Sequence, residues 1–298
     1  MRAHLLYERA VAISTLHPRH YLKMQAGAVD PYALLADLGL SDASAVTPVG
    51  GGWDTALWRV QRGSASFALR VFRSDQTAQW RRELLVMQAA TEHGLPVPRV
   101  HASTIWDGHP ALLLSWCPGR PLLDQVRAEP WRVWALGMAM GRVHARIHAV
   151  PGPASLRAAL PASLPQGTAL LHLDYHPLNV MSSHRGITCV LDWANAAVGD
   201  PRADLARTVT VLRLAPAPPG TPATLLMALR RVLELAWRTG YQVSGGSFRD
   251  MAPFYAWAGA MMEADLRPKL GRPGVWLEPS DLERIHRWTN RWNQRAGL

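Results

Sequence analysis

Cysteine is nearly absent from this 298-residue chain, which has only Cys117 and Cys189. Two are too few for a disulfide framework and fit a reducing cytoplasm. Lysine is scarce as well: almost all of the 32 basic residues are arginine, and they are scattered without a run of five. The net charge of +10 therefore reads as a diffuse basic surface. No recognition-helix or RNA-binding signature accompanies it, which disfavours a nucleic-acid partner, although a positive site would suit a phosphate-rich small molecule. No stretch of ~18 apolar residues is present, which argues against a membrane span. The opening residues MRAHLLYERAVAIS have no apolar core followed by a small-residue cleavage site, so a cytoplasmic protein is expected. There is no internal repeat. What is present is a globular balance, 48% hydrophobic and 18% charged, in a length suited to one large domain or to two lobes sharing a cleft.

Residues 1–42 have a helical pattern broken by a loop near Ala26–Asp30. Within them, DPYALLADLGL starts with an N-cap candidate, Asp30, has Pro31 at the first helical position, and ends at Gly39. From Val46 to Arg73 the chain alternates around two turn signals, GGG and RGS, as consecutive antiparallel strands do. QTAQWRRELLVMQAATEHG then has helical period and stops at Gly94, and ALLLSWCPGR is a further apolar strand. From Pro118 onward the pattern is mostly helical, with PWRVWALGMAMGRVHARIHAV strongly amphipathic. LLHLDYHPLNVM and ITCVLDWA are short apolar runs that would form a small hairpin around SSHRG. The expected division is an N-terminal helical extension (1–42), a small α+β lobe (43–117) and a mainly helical lobe (118–298), joined near Cys117–Gly119.

The stretch LLHLDYHPLNVM sets two His, one Asp and one Asn among apolar residues. Asp174 and Asn179 lie in one loop, and a hairpin would return Asp192, in VLDWA, beside Asn179. A carboxylate and a carboxamide oxygen at one point suit a hard cation such as Mg²⁺, completed by phosphate oxygens. A second, metal-free Asp can orient a hydroxyl and accept its proton. Metal clamp, base and positioned nucleophile are the parts phosphoryl transfer needs. The alternative is a metal site at His172, Asp174 and His176, which would share one face if extended. Pro177 argues for a loop there, and nothing elsewhere completes a zinc sphere convincingly.

HLDYHPLN matches the kinase catalytic loop H-x-D-x-x-x-x-N, and LDWA stands where protein kinases have Asp-Phe-Gly. Together with GDPRADLA (Gly199–Ala206) and RVHARIHAV, these motifs resemble the aminoglycoside phosphotransferase family, the choline kinase-like group of small-molecule kinases, over roughly Val46 to Ala206. The resemblance implies a bilobal protein kinase-like α+β fold, with a small antiparallel-sheet N-lobe and a mainly helical C-lobe. It implies Asp174 as the base orienting the acceptor hydroxyl, Asn179 and Asp192 as Mg²⁺ ligands, His172 as support for the loop, and Asp204 as the group holding the loop by its backbone.

A kinase also needs a lid and a cation on the phosphates. Gly50, Gly51 and Gly52 are the lid candidates, although three glycines alone more often mark a hairpin turn. FALRVF places Arg70 where protein kinases have Lys, with Glu83 as its expected partner; the bland reading of Glu83 is a solvated helix-surface carboxylate. Ser115, Trp116 and Cys117 resemble the family's adenine-reading hinge, where backbone groups do the reading, and Cys117 reads as a small hinge residue. The acceptor would bind within residues 205–298, which hold Trp237, Trp257, Trp276, Trp288 and Trp292; Glu263 and Asp265 are the clearest acidic pair and Trp257 a wall candidate. From Asp200 onward there are nine Asp and Glu against fourteen Lys and Arg. That balance weakens a polycationic aminoglycoside as acceptor and favours a neutral or mildly charged hydroxyl compound. The reading is a cytoplasmic small-molecule O-phosphotransferase using ATP or GTP with Mg²⁺. Its rivals are a nucleotide-binding module without catalysis, an aminoglycoside-modifying kinase specifically, a protein kinase, for which GDPRADLA arrives too soon after LDWA, and a nucleic-acid binder. Acceptor, donor preference and oligomeric state stay open.

Overall fold

The computed structural model describes residues 29–50, 55–156, 160–216, 223–272 and 275–298. They fall into two compact units that divide between Cys117 and Pro118.

The first unit is built on one antiparallel sheet. Its strands are β1 (Ala45–Pro48), β2 (Thr55–Arg62), β3 (Ala65–Phe72), β4 (Val100–Trp106) and β5 (His109–Ser115), in the order β1-β2-β3-β5-β4. Along β2, Ala56, Trp58 and Val60 are buried in alternation, the period of two that puts one strand face on a core. β5 sits between β3 and β4, and its PALLL run is buried without alternation, as in a strand covered on both faces. Helix α1 (Pro31–Asp37) covers one face. Asp30 caps it by accepting the N–H of Tyr32 at 2.9 Å, Pro31 opens it, and the chain leaves through Gly39 at φ 74°. Leu34 and Leu35 of α1, with Val29 and Leu40, join Trp58, Val60, Leu69, Val71 and Leu113 in a single core. Residues 29–40 are thus part of the first unit's core, while residues 1–28 of the expected extension lie outside the described residues. Helix α2 (Thr77–Glu92) is tied to the sheet by the Trp80 indole N–H, which donates to the Ala111 carbonyl at 3.3 Å.

The second unit opens with β6 (Arg120–Pro121), α3 (Leu122–Ala128) and α4 (Val133–His148). Two small sheets follow. β7 (Ala169–Leu171) pairs with β10 (Ala197–Gly199), and β8 (Val180–Ser183) with β9 (Gly186–Val190), with β6 on the other edge of β8. The rest is helical: α5 (Pro201–Leu214), α6 (Ala223–Gln242), α7 (Ala252–Leu266) and α8 (Pro279–Ala296). No described helix is long and apolar enough to cross a membrane.

Helices α4 and α6 cross backbone to backbone. A Cβ on Gly141 would overlap the carbonyl of Trp237 and crowd the N–H of Tyr241, and one on Gly240 would overlap the carbonyl of Met138. Neither neighbour is a side chain that can turn away, so the helices would have to separate. Gly141→Ala should therefore lower unfolding free energy by about 1–3 kcal/mol. Urea denaturation should show a lower midpoint, and an unshifted midpoint would refute the close crossing.

Candidate active site

The loop His172–Asn179 joins β7 to β8, and side chains of α5 hold its backbone. The reason lies in GDPRADLA. Gly199 ends β10, Asp200 caps α5 by accepting the N–H of Arg202 at 2.9 Å, and Pro201 occupies the first helical position. Asp204 then lies one turn into the helix. Its carboxylate accepts the N–H of His172 at 2.6 Å and of Leu173 at 2.9 Å. Thr208 donates its hydroxyl to the Tyr175 carbonyl at 2.9 Å, and Arg207 donates from Nε to the Leu173 carbonyl at 3.3 Å. Leu173 itself has φ 60°, a left-handed conformation that costs a non-glycine residue roughly 1–2 kcal/mol. The tertiary bonds around it hold that conformation in place.

Within the loop the polar residues converge. Asn179 donates from Nδ2 to the Asp174 carbonyl at 3.0 Å and to Asp174 Oδ2 at 3.2 Å. Because the amide is planar, this turns its oxygen to the opposite side. His176 Nε2 lies 3.4 Å from Asp174 Oδ1. His172 is a spacer: Nδ1 accepts the Asp174 N–H at 3.3 Å, so the proton sits on Nε2, which donates to the Leu191 carbonyl at 2.9 Å. Trp193 packs on the His172 ring at 4.6 Å between centroids. The Leu191 N–H donates to the Asn179 carbonyl at 2.8 Å, one step beyond the Val180–Val190 pair of the β8–β9 hairpin. Leu191 is thereby fixed on both sides, and the next residue, Asp192, follows at φ 60°. An amide oxygen and a carboxylate are hard donors that fit a cation such as Mg²⁺. Burial alone would raise the Asp174 pKa, but His176, Arg207 and His172 outweigh it and hold the carboxyl below its ordinary value.

Beneath the loop Asp204 meets two histidines of α4. His148 accepts from or donates to the Tyr241 hydroxyl through Nδ1 at 2.8 Å and faces Asp204 Oδ2 through Nε2 at 3.2 Å. His144 Nε2 is also 3.2 Å from that oxygen, in a fully buried side chain. The three groups lie within 4.8 Å of one another, a spacing open to a metal ion. Both oxygens of Asp204 already accept a backbone N–H, however, so the cluster reads as a hydrogen-bonded anchor for the loop. Burial works to raise the Asp204 pKa, but His144 and His148 more than offset it, and the carboxyl is held well below the usual range. Burial, aided by His148, pushes His144 down to about 4, so its ring is neutral at pH 7.

In the first unit Arg70 and Glu83 form an ion pair at 2.5 Å. Glu83 is only 1% exposed and also accepts from Gln79, so it is no solvated surface carboxylate. Arg70 also donates to the Thr55 hydroxyl at 3.2 Å and lies over the Phe72 ring. Gly50 is described; Gly51 and Gly52 lie outside the described residues. In the hinge segment the Ser115 N–H donates to the Arg99 carbonyl and the Trp116 N–H to the Ser66 carbonyl, so neither serves a base without losing a bond within the unit. Neither cysteine is a reduced thiol: Cys117 and Cys189 are both disulfide-bonded.

The acceptor candidates do not form a group. Glu263 pairs with Arg267 and His286, whereas the carboxylate of Asp265 bonds Arg207 at 3.3 Å. Trp257 is half-buried, while Trp237 is fully buried against His144, Tyr241 and Phe248. Sequence reasoning missed Arg207, Thr208 and His144. Their only signal was placement, one turn after Asp204 for the first two and one turn before His148 for the third.

Residues 45–157 and 153–242 match the model of the phosphotransferase enzyme family, APH. Among curated proteins the chain is 30% identical over 118 residues to a probable ketoamine kinase of Thermus thermophilus, covering 40% of this chain and 38% of that one. It is 30% identical over 172 residues to acyl-CoA dehydrogenase family member 10 of Mus musculus, covering 42% of this chain and 16% of that one. The chain therefore spans well under half the length of these relatives. Among solved structures, the amicoumacin kinase hAmiN in complex with AMP-PNP, Ca²⁺ and Ami superposes with TM-score 0.63 at 12% identity, over 90% of this chain and 95% of that one. A thermostable aminoglycoside phosphotransferase APH(4)-Ia with AMP-PNP and hygromycin B gives 0.59 at 15% identity, over 90% and 99%. Likeness at these identities shows the fold, a bilobal kinase-like one.

The buried His144 makes stability depend on pH. Its folded pKa of about 4 lies below the ordinary value of 6.5. Between the two, the unfolded chain binds a proton that the folded one refuses. Stability is thus complete above about pH 6.5 and declines as pH falls toward 4, by up to ~3 kcal/mol from this group. Melting curves from pH 7.5 to 4.5 should show a steeper decline for the wild type than for His144→Leu. Parallel declines would show that His144 titrates normally.

Proposed function

Because the chain belongs to the phosphotransferase enzyme family, we propose that it is a small-molecule O-phosphotransferase that moves the γ-phosphoryl of ATP or GTP to a hydroxyl. The observation that carries this reading is the loop around Asp174, pinned to α5 and hydrogen-bonded to Asn179, with Asp192 next to the fixed Leu191. Asp174 would accept a hydrogen bond from the acceptor hydroxyl and orient its oxygen toward the γ-phosphorus. As the new P–O bond forms, the bond to the bridging oxygen of the nucleoside diphosphate breaks, and the hydroxyl proton passes to Asp174. Asn179 and Asp192 would hold Mg²⁺, which when bound neutralises charge on the phosphates. In the first unit Arg70, kept in place by Glu83, would offer its guanidinium to phosphate oxygens. His172 and Asp204 would position the loop without touching the substrate. Most of the rate would come from positioning and electrostatics.

The acceptor we favour is an uncharged or mildly charged hydroxyl compound. A site for several ammonium groups needs available carboxylates, yet in the helical region Glu234, Glu263, Asp265 and Asp281 all bond arginine. One relative is named for ketoamines and another was solved with hygromycin B, so membership in the family does not name the acceptor.

Thermal shift with ATP and GTP, with and without Mg²⁺, tests the nucleotide part, since a ligand of the folded state raises its melting temperature. Asp192→Ala should lose the Mg²⁺-dependent shift. Asp174→Ala should keep that shift and lower nucleoside-diphosphate release by roughly 100-fold or more. Wild-type turnover in Asp174→Ala would remove that residue from the mechanism.

A further inference from the structure

We propose that Arg207 is a second positioning residue for the catalytic loop, holding the carbonyl of Leu173 as Asp204 holds the N–H of the same residue. This rests on the phosphotransferase reading above. The argument begins with Leu173, whose left-handed backbone sets the direction in which the chain enters Asp174. Its N–H donates to Asp204 Oδ1 and its carbonyl accepts from Arg207 Nε. Asp204 and Arg207 are three residues apart on α5, so both present to the same side of that helix. The N–H and carbonyl of Leu173 belong to the consecutive peptides on either side of its Cα, and one pin alone leaves the other peptide able to rotate. With the 172–173 peptide held at its N–H and the 173–174 peptide at its carbonyl, both from one helix, the backbone at Leu173 is fixed on both sides.

The far end of Arg207 is anchored too. Its Nη1 bonds Asp265 of α7 at 3.3 Å, with both side chains largely buried at 5% and 9% exposure. Such a pair keeps the long side chain in one rotamer and aims Nε at the loop. It also accounts for a buried arginine beside a catalytic loop: unpaired, its charge would be expensive to bury. α7 is thereby connected through Asp265 and Arg207 to the carbonyl adjoining Asp174.

The test must separate positioning from mere stability. Arg207→Met alone would leave Asp265 buried without its partner, so the main variant is Arg207→Met/Asp265→Leu, which removes both charges together. Two readouts apply to the full-length protein. One is hydrogen exchange of the peptide covering residues 170–180. The other is ADP release from Mg–ATP with water as acceptor, resolved into kcat and KM. The double variant should show faster exchange confined to that peptide. Its kcat should be roughly 10- to 100-fold lower, with KM for ATP within about twofold of wild type. Arg207→Lys keeps a cation opposite Asp265 and a donor within reach of the loop, and should recover part of kcat. Unchanged exchange and kcat in a folded double variant would overturn the proposal, leaving Arg207 as a partner for Asp265 only. So would faster exchange throughout the protein with kcat and KM changing together. Absence of nucleoside-diphosphate release by the wild type from both ATP and GTP above the Asp174→Ala background would instead overturn the phosphotransferase reading, and the exchange data would still decide whether Arg207 holds the loop.

Discussion

Asp204 is a carboxylate closed off from solvent that accepts two consecutive backbone N–H groups, those of His172 and Leu173. Much of the second unit can be derived from that arrangement. The helix that carries Asp204 must start one turn earlier, and Asp200 with Pro201 starts it there. The carboxylate must stay ionised in a dry site, and the histidines of α4 lie against it for that purpose. α4 must then lie close to α6, whose Tyr241 meets His148, and the glycines at the crossing permit the approach. A left-handed Leu173, an oriented Asp174 and a hairpin that returns Asp192 follow at the other side of the same anchor.

Electrostatics in this unit work by local neutralisation. The region is basic overall, yet its buried acids are each matched to a specific partner: Asp204 to histidine and amides, Asp265 and Glu234 to arginine. Isolated buried charge is expensive, and pairing with several hydrogen bonds is what makes it tolerable. The surplus of arginine is therefore partly structural, and net charge is a poor guide to what the protein binds.

The parts legible in the sequence were those encoded by local spacing. Asp30 and Pro31 announce a helix start, alternation announces β2, and the hairpin that aligns Asn179 with Leu191 follows from two apolar runs with a turn between them. The Arg70–Glu83 pair was expected from the likeness of FALRVF to the kinase strand that carries Lys, with Glu83 as the partner on the following helix. What was not legible depends on which side of a helix faces what. Glu263 and Asp265 look like a pair in sequence, but residues two apart on a helix point in different directions, and they reach different arginines. Arg207 looked like one of many scattered arginines until α5 was laid against the loop. Residues 29–40 read as an extension because nothing local says that Leu34 and Leu35 join the sheet's core.

The pins on the loop at residues 172, 173 and 175 all reach main-chain atoms. Main-chain atoms are the same in every amino acid, so Leu173, which is held by its N–H and carbonyl, can vary in side chain without disturbing the grip. His172 and Tyr175 are held twice over, because their side chains also bond the Asp174 N–H and the carbonyls of Leu191 and Met140.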